Sequence, residues 1–220
     1  FENVKDTKVW SATYMSNFEN DKPYLTNFGI GSDDVPKEHI DFLKNNIDKK
    51  FKANKKLAGH IKQEYMYKKW PKSFEDWVIY ACTKNSVVQN HLNNISILSK
   101  SVPYMLEALW INLQKKYEFN PIHDHTGVLS FIIVLKIPYD LKKEDKVFEL
   151  TSPKPTTQPY CASRLSFLKN DTFNVSKLNV NVDKSYENKI LVFPANLNHQ
   201  VYPFYTSDDY RITASGNIRL

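Results

Sequence analysis

The apolar positions of the chain change their period once, near Pro103. Before it they recur every three or four residues, as on one face of a helix. Ile40, Leu43, Ile47 and Phe51 predict a first helix, opened by Asp33, Asp34 and Pro36 with carboxylates and a proline at its start. Phe74, Trp77, Val78, Ala81, Val88, Leu92 and Ile95 predict a second, running to about residue 96 from a capping-box-like Ser73-Phe-Glu-Asp. The first 35 residues mix aromatics with turn formers (Asn20-Asp21-Lys22-Pro23, Gly29-Ile30-Gly31-Ser32) and predict loops with one edge strand. After Pro103, eight short strands are expected near 105–117, 128–137, 146–151, 161–168, 173–181, 189–193, 200–204 and 210–219. Two helices followed by eight strands predict a mainly β fold with flanking helices: an antiparallel jelly roll buttressed by two N-terminal helices. With no internal repeat and no Gly/Ser linker, residues 1–220 are expected to form one domain. Within it, 1–100 would be helical and loop support and 101–220 the core.

Composition narrows the class. Hydrophobic residues make up 41% of the chain, enough for a core and too many for a disordered tail. The longest apolar run, Val128 to Leu135 interrupted by Ser130, is far too short to span a bilayer, so no membrane crossing is expected. Phe1 opens no basic-then-apolar leader. Cys82 and Cys161 match no metal or redox spacing and cannot build a disulfide framework, so a reducing cytoplasm is the expected compartment. The net charge of +6 would suit nucleic acid, an acidic protein or an anionic small molecule. The densest basic run, Lys49, Lys50, Lys52, Lys55 and Lys56, reads as the tail of the first helix, where cations suit the dipole. No stacked aromatics lie among those lysines, which disfavours nucleic acid.

Of six histidines, His39 and His91 fall on predicted helices and read as packed or surface residues, and His60 has no evident partner. The other three differ. His123 and His125 sit in Asn120-Pro-Ile-His-Asp-His-Thr-Gly127, just before the apolar strand, and His199 ends Phe193-Pro-Ala-Asn-Leu-Asn-His199. In extended backbone residues two apart face the same side, so His123 and His125 can share one ion while Asp124 faces away. His199, from a distant strand, would complete one face of a coordination sphere and leave positions open for substrates. Arg211 is one of three arginines, with Arg164 and Arg219, and shares a strand face with Thr213. A guanidinium fork beside a hydroxyl suits a carboxylate. A bare His-x-His is a weak signal; with His199 and Arg211 it becomes a candidate site.

Together these pieces resemble the iron(II)- and 2-oxoglutarate-dependent oxygenases, most closely members of marine bacteria and their phages. The resemblance covers roughly residues 105–220 and rests on three motifs. They are Trp110-Ile-Asn-Leu followed by Asn120-Pro-Ile-His-Asp-His with Ser130 opening a strand, Leu191-Val-Phe-Pro-Ala-Asn-Leu-Asn-His199-Gln-Val-Tyr-Pro203, and Arg211-Ile-Thr-Ala-Ser-Gly-Asn217. It implies a double-stranded β-helix, cupin-like and prolyl-hydroxylase-like. It also implies Fe(II), 2-oxoglutarate and O2, with ascorbate as reductant, and hydroxylation of an unactivated C–H bond. His123, His125 and His199 would hold the metal. Arg211 and Thr213 would bind the co-substrate, with Asn112 or Ser130 adding a hydrogen bond. Most of the superfamily has His-x-Asp or His-x-Glu where this chain has His-x-His. The triad is therefore three histidines, or Asp124 replaces one imidazole as ligand; otherwise Asp124 supports the ligands from behind. The first expected substrate is a prolyl or other protein side chain, ahead of a small molecule. A nucleic-acid-acting oxygenase is second: Arg219 follows Arg211 by eight residues, where repair oxygenases carry a second arginine at six. The third alternative is a non-catalytic jelly-roll binding module with a vestigial metal site. The compartment would be the host cytoplasm if the chain is phage-encoded.

Overall fold

In the computed structural model, residues 18–93, 103–147, 161–170 and 174–220 are described. Helix α1 (Phe18–Asn27) leads into β1 (Gly31–Asp34) and α2 (Lys37–Asn45). β2 (Glu64–Met66), α3 (Lys72–Thr83) and α4 (Ser86–Asn93) follow. Then come β3 (Met105–Gln114), β4 (Asn120–His123), β5 (Leu129–Lys136) and α5 (Leu141–Lys146). The chain ends with β6 (Leu165–Asn170), β7 (Val175–Val180), β8 (Lys189–Pro194), β9 (Asn198–Val201) and β10 (Arg211–Arg219). Two antiparallel sheets result, ordered β1-β8-β5-β10-β3-β2 and β4-β9-β6-β7. From β3 to β10 the chain changes sheet at every step except between β6 and β7, which is the double-stranded β-helix expected from the sequence.

Strand periodicity explains which side chains face the barrel. Along β10, Arg211, Thr213, Ser215 and Asn217 alternate with Ile212, Ala214, Gly216 and Ile218. Ala214 and Ile218 join the core under the helices, so the polar set turns to the other face, between the sheets. β3 repeats the pattern: Leu109 and Ile111 pack toward Phe74, Val78 and Cys82 of α3, while Trp110, Asn112 and Gln114 line the interior. β5 is apolar from Phe131 to Leu135 because both of its faces are covered. Phe131 and Ile133 pack under the helices, and Ile132 and Val134 join the inter-sheet core of Phe167, Leu191, Phe193 and Phe204. Each fully buried aromatic such as Phe131 or Phe193 contributes about 1.5–3 kcal/mol by leaving water.

Several expectations are corrected. Asn20-Asp21-Lys22-Pro23 lies inside α1, with Pro23 in the helix. Phe18 and Leu25 are buried there, Phe18 edge-on to Tyr186 at 5.2 Å, and that packing overrides the turn-forming composition. Asp33 and Asp34 belong to β1, an edge strand, and α2 starts after Pro36. α2 ends at Asn45, so Lys49 to Lys56 lie in turns and irregular chain, not in a helix tail. The second helix is two, because the Asn85 side chain accepts the Val87 amide at 3.1 Å and starts α4 anew. Ser73 makes no capping hydrogen bond; Pro71 precedes the helix. Residues 141–146 form α5, capped by Asp140 accepting from the Lys143 amide, where the start of a strand at 146–151 was expected; residues 148–151 fall outside the described residues. The strands missing from the expectation are β2 and β4.

Candidate metal centre

β4 and β9 bring the first two imidazoles together. They pair antiparallel with His123 directly opposite His199 and Asn120 opposite Val201, with a register irregularity between. Pro121 leaves no ladder donor, which an edge strand tolerates, and β4 is the edge of its sheet. β4 ends at His123, yet the His125 amide donates to the Ala195 carbonyl at 2.8 Å. That bond keeps the segment beside the strand end, and the His125 ring returns to the side of His123. Ring centroids lie 4.3 Å apart for His123 and His199, and 5.0 Å for each of them with His125. One ligand nitrogen from each ring lies within 4.8 Å of the others. Asp124 is exposed and stands outside this cluster.

The tautomers are set by backbone. His123 Nδ1 faces the Pro121 carbonyl at 2.7 Å and His199 Nδ1 faces the Leu197 carbonyl at 3.0 Å. A carbonyl only accepts, so each Nδ1 carries the proton and each Nε2 keeps its lone pair. Phe167 and Phe193 flank the His199 ring at 5.9 and 5.0 Å, and Trp110 lies 5.5 Å from His125. Burial, then the neighbouring His123 and His125, pushes His199 down to about 3. Burial, then His123, pushes His125 down to about 4. Both rings are therefore neutral near neutral pH and free to donate a lone pair.

The same pocket continues away from the histidines to Arg211, which is 3% exposed. Its Nη1 donates to the Ser163 carbonyl at 3.2 Å, while its buried Nε has no partner among the described residues. Thr213 and Asn112 are register partners on β10 and β3, both line the pocket, and Asn112 Oδ1 is also unpartnered. Ser130 is elsewhere: its hydroxyl donates to Asn217 Oδ1 at 2.9 Å, and it does not line the pocket. A buried guanidinium with an idle N–H calls for an anion. Three clustered imidazoles fit a mononuclear transition-metal ion, iron(II) among them.

Glu64 carried no sequence signal. It is 1% exposed on β2, opposite Asn112, and lines the pocket. Asn54 Nδ2 donates to its Oε2 at 3.2 Å. Burial, then the nearby Glu118 carboxylate, raises it to about 7. The segment 53–62 straps the pocket's side, with the Ala53 amide bonded to the Glu64 carbonyl and the His60 amide to Phe119. Leu57, Ala58, Gly59 and Ile61 of that strap line the pocket. His60 stacks on Phe119 at 4.7 Å. His39 packs at 4.9 Å from Trp77, and His91 Nε2 lies 3.3 Å from the Val128 carbonyl, in keeping with structural roles.

Fold and site together define a double-stranded β-helix with an open three-histidine cluster and an anion-seeking arginine in one pocket. Residues 108–217, half of the chain, match the family described as "Putative 2OG-Fe(II) oxygenase", and the chain belongs to that family of oxidoreductases using Fe(II), 2-oxoglutarate and O2. In fold it is similar to a Pseudomonas putida prolyl-4-hydroxylase, at 11% identity and a TM-score of 0.51, over 90% of this chain and 95% of that one. At that identity the likeness speaks for the fold alone. Weaker similarities are to a 2OG-Fe(II) oxygenase-family oxidoreductase of Burkholderia pseudomallei (10% identity, TM-score 0.45, 94% and 91% covered) and to a Trichoplax adhaerens prolyl hydroxylase in complex with a hypoxia inducible factor peptide fragment (13%, 0.46, 89% and 86%). No curated protein matches the chain by sequence. Among the described residues, no helix is long and apolar enough to cross a membrane.

Proposed function

We propose that this chain hydroxylates an unactivated C–H bond of a polypeptide side chain, prolyl first, with iron(II) at His123, His125 and His199 and 2-oxoglutarate at Arg211. The observation that carries the reading is one pocket holding three clustered imidazoles and a buried arginine with an idle N–H. When bound, iron(II), 2-oxoglutarate and O2 supply the oxidising power, with succinate and CO2 as by-products. The protein's own residues bind and orient. His123 and His199 present Nε2 because backbone carbonyls hold their Nδ1 protons. Arg211 Nε, with the Thr213 hydroxyl and the Asn112 amide, receives the distal carboxylate of 2-oxoglutarate. Phe167, Phe193 and Trp110 keep water from the histidine rings.

The choice of a polypeptide substrate follows the fold likeness to a prolyl-4-hydroxylase and is an argument by analogy. The three-histidine triad is favoured over one using Asp124 because that carboxylate is exposed and outside the cluster. A single-domain arrangement and a cytoplasmic compartment, the latter consistent with two cysteines of unrelated spacing, complete the proposal. The decisive experiment incubates the protein with iron(II), ascorbate, oxygen and 2-oxoglutarate and measures succinate. Slow turnover without a prime substrate is expected. No succinate from protein that demonstrably holds iron and 2-oxoglutarate would leave a non-catalytic binding module as the better reading.

A further inference from the structure

The chain's positive charge is concentrated in one place. Residues 49–72 contain nine lysines and a single acidic residue, the buried Glu64, so the rest of the chain is slightly acidic against a total of +6. All nine lysines are exposed. Only Lys72 has an ion-pair partner, Asp76, among the described residues. This stretch includes the strap whose Leu57, Ala58, Gly59 and Ile61 form one wall of the candidate site. The unbalanced lysines therefore flank in sequence the residues that wall the pocket, and their field acts on whatever approaches that side.

We propose that residues 49–72 dock an acidic segment of a polypeptide substrate beside the residue to be modified. This rests on the oxygenase reading for its purpose, though not for its charge. Charge alone would also suit nucleic acid, but the surface lacks what a nucleic acid uses. Tyr65 and Tyr67 are buried, and Trp70 packs against the core. Phe51 is 38% exposed but already has the Lys68 ammonium over its ring at 5.0 Å. His60 is exposed but already stacked on Phe119, so residues 49–72 offer no unpaired exposed ring for bases. The pocket wall behind the lysines is apolar apart from Glu64 and offers no phosphate cradle. A peptide needs neither: its carboxylates meet the lysine ammoniums, while its target side chain enters past Leu57 and Ile61.

The test uses the full chain, a dye-labelled polyglutamate peptide, and single-stranded DNA of equal charge. Lys52→Glu/Lys55→Glu/Lys56→Glu is compared with wild type and with Lys142→Glu/Lys143→Glu/Lys146→Glu, an equal charge change on α5. The peptide should bind wild type more tightly than the DNA does. The strap variant should weaken peptide binding about tenfold or more, and the α5 variant by less than about twofold. Carbodiimide should cross-link the peptide to lysines of 49–72. Equal losses in both variants, or tighter binding of the DNA, would overturn the proposal. Succinate formed without a prime substrate should be the same in all three proteins. Its absence from wild type would remove the oxygenase reading while the peptide arm still decides the surface.

Discussion

The pocket has two unlike walls. One is built from β3, β10, β4 and β9, where register places His123 opposite His199, Asn112 opposite Thr213 and Gln114 opposite Arg211. The other is the strap 53–62 with β2, held by scattered bonds such as Asn54 to the Ile61 carbonyl at 2.5 Å and the Lys62 amide to Glu118 at 3.0 Å. The first wall lies inside the family match and the second outside it. Strand pairing fixes positions to a fraction of an ångström and is the place for ligands. A polar strap can vary in sequence without disturbing the barrel, and is the place for choosing partners.

Loss of a ligand should give the largest effect. His199→Ala removes one of three imidazoles, and iron(II) affinity should fall at least about a hundredfold, with succinate formation lost. Asp124→Asn should change both by less than about twofold, because an exposed carboxylate outside the cluster contributes little. Iron titration under argon measures the affinity, and a succinate assay with oxygen measures the turnover. A comparable loss in the two variants would return Asp124 to the ligand set.

Arg211→Lys comes next. An ammonium cannot reproduce the guanidinium's separate bonds to the Ser163 carbonyl and to a carboxylate. The change should weaken 2-oxoglutarate binding by about 1.5–3 kcal/mol, one to two decades, and leave iron affinity intact. Unchanged 2-oxoglutarate affinity would take Arg211 out of the site.

How much of each wall could be read from the sequence follows from the same difference. Arg211 and Thr213 were legible because strand parity is a local rule, two residues apart on one face. The same rule grouped His123 with His125, although β4 stops at His123 and the His125 amide bond to the Ala195 carbonyl holds that segment in place. The alternation of Arg211, Thr213, Ser215 and Asn217 with apolar neighbours announces β10 by itself. β4 was not legible, since Asn-Pro-Ile-His carries no apolar alternation and Pro121 argues against a strand until its edge position is known. Nor was the strap. Its lysines follow the apolar stripe of α2 and look like more of that helix, but α2 stops at Asn45, and Ile47 only packs loosely against the core. Glu64 between Gln63 and Tyr65 resembles any surface glutamate; tertiary contact alone buries it.

Two glycines sharpen the contrast at a smaller scale. At Gly216 on β10 a Cβ would stand 2.5 Å from Phe131 Cζ and 2.6 Å from the Ala108 carbonyl oxygen. Neither a packed ring nor strand backbone yields readily, so Gly216→Ala should cost about 1–3 kcal/mol in urea unfolding. At Gly59 a Cβ would meet only side-chain tips, Glu64 Oε1 at 2.4 Å and Asn120 Oδ1 at 2.5 Å. Those are ends of flexible side chains, which give way more readily than a packed ring or strand backbone, so Gly59→Ala should cost less than Gly216→Ala. Equal costs at the two sites would mean the strap is as rigid as the barrel.

The last contrast is a pH dependence carried by the second wall. Burial raises Glu64 from the ordinary 4.5 to about 7, so between those values the folded protein holds a proton that the unfolded chain has released. Stability then falls as pH rises through that window: this contribution is complete below about 4.5 and gone once pH passes about 7. Above it, folding must keep an ionised carboxylate out of water beside Glu118. Glu64→Gln keeps an oxygen for the Asn54 amide and has no proton to lose. The variant's melting temperature, relative to wild type, should therefore rise from pH 5 to pH 8. His199 and His125 are neutral in the folded protein over this range but take protons in the unfolded chain below about 6.5, so they add a slope of opposite sign that is common to both proteins and cancels in the difference. A difference between variant and wild type that stays flat from pH 5 to pH 8 would show that Glu64 is ionised in the folded protein throughout, and the strap less dry than its contacts imply.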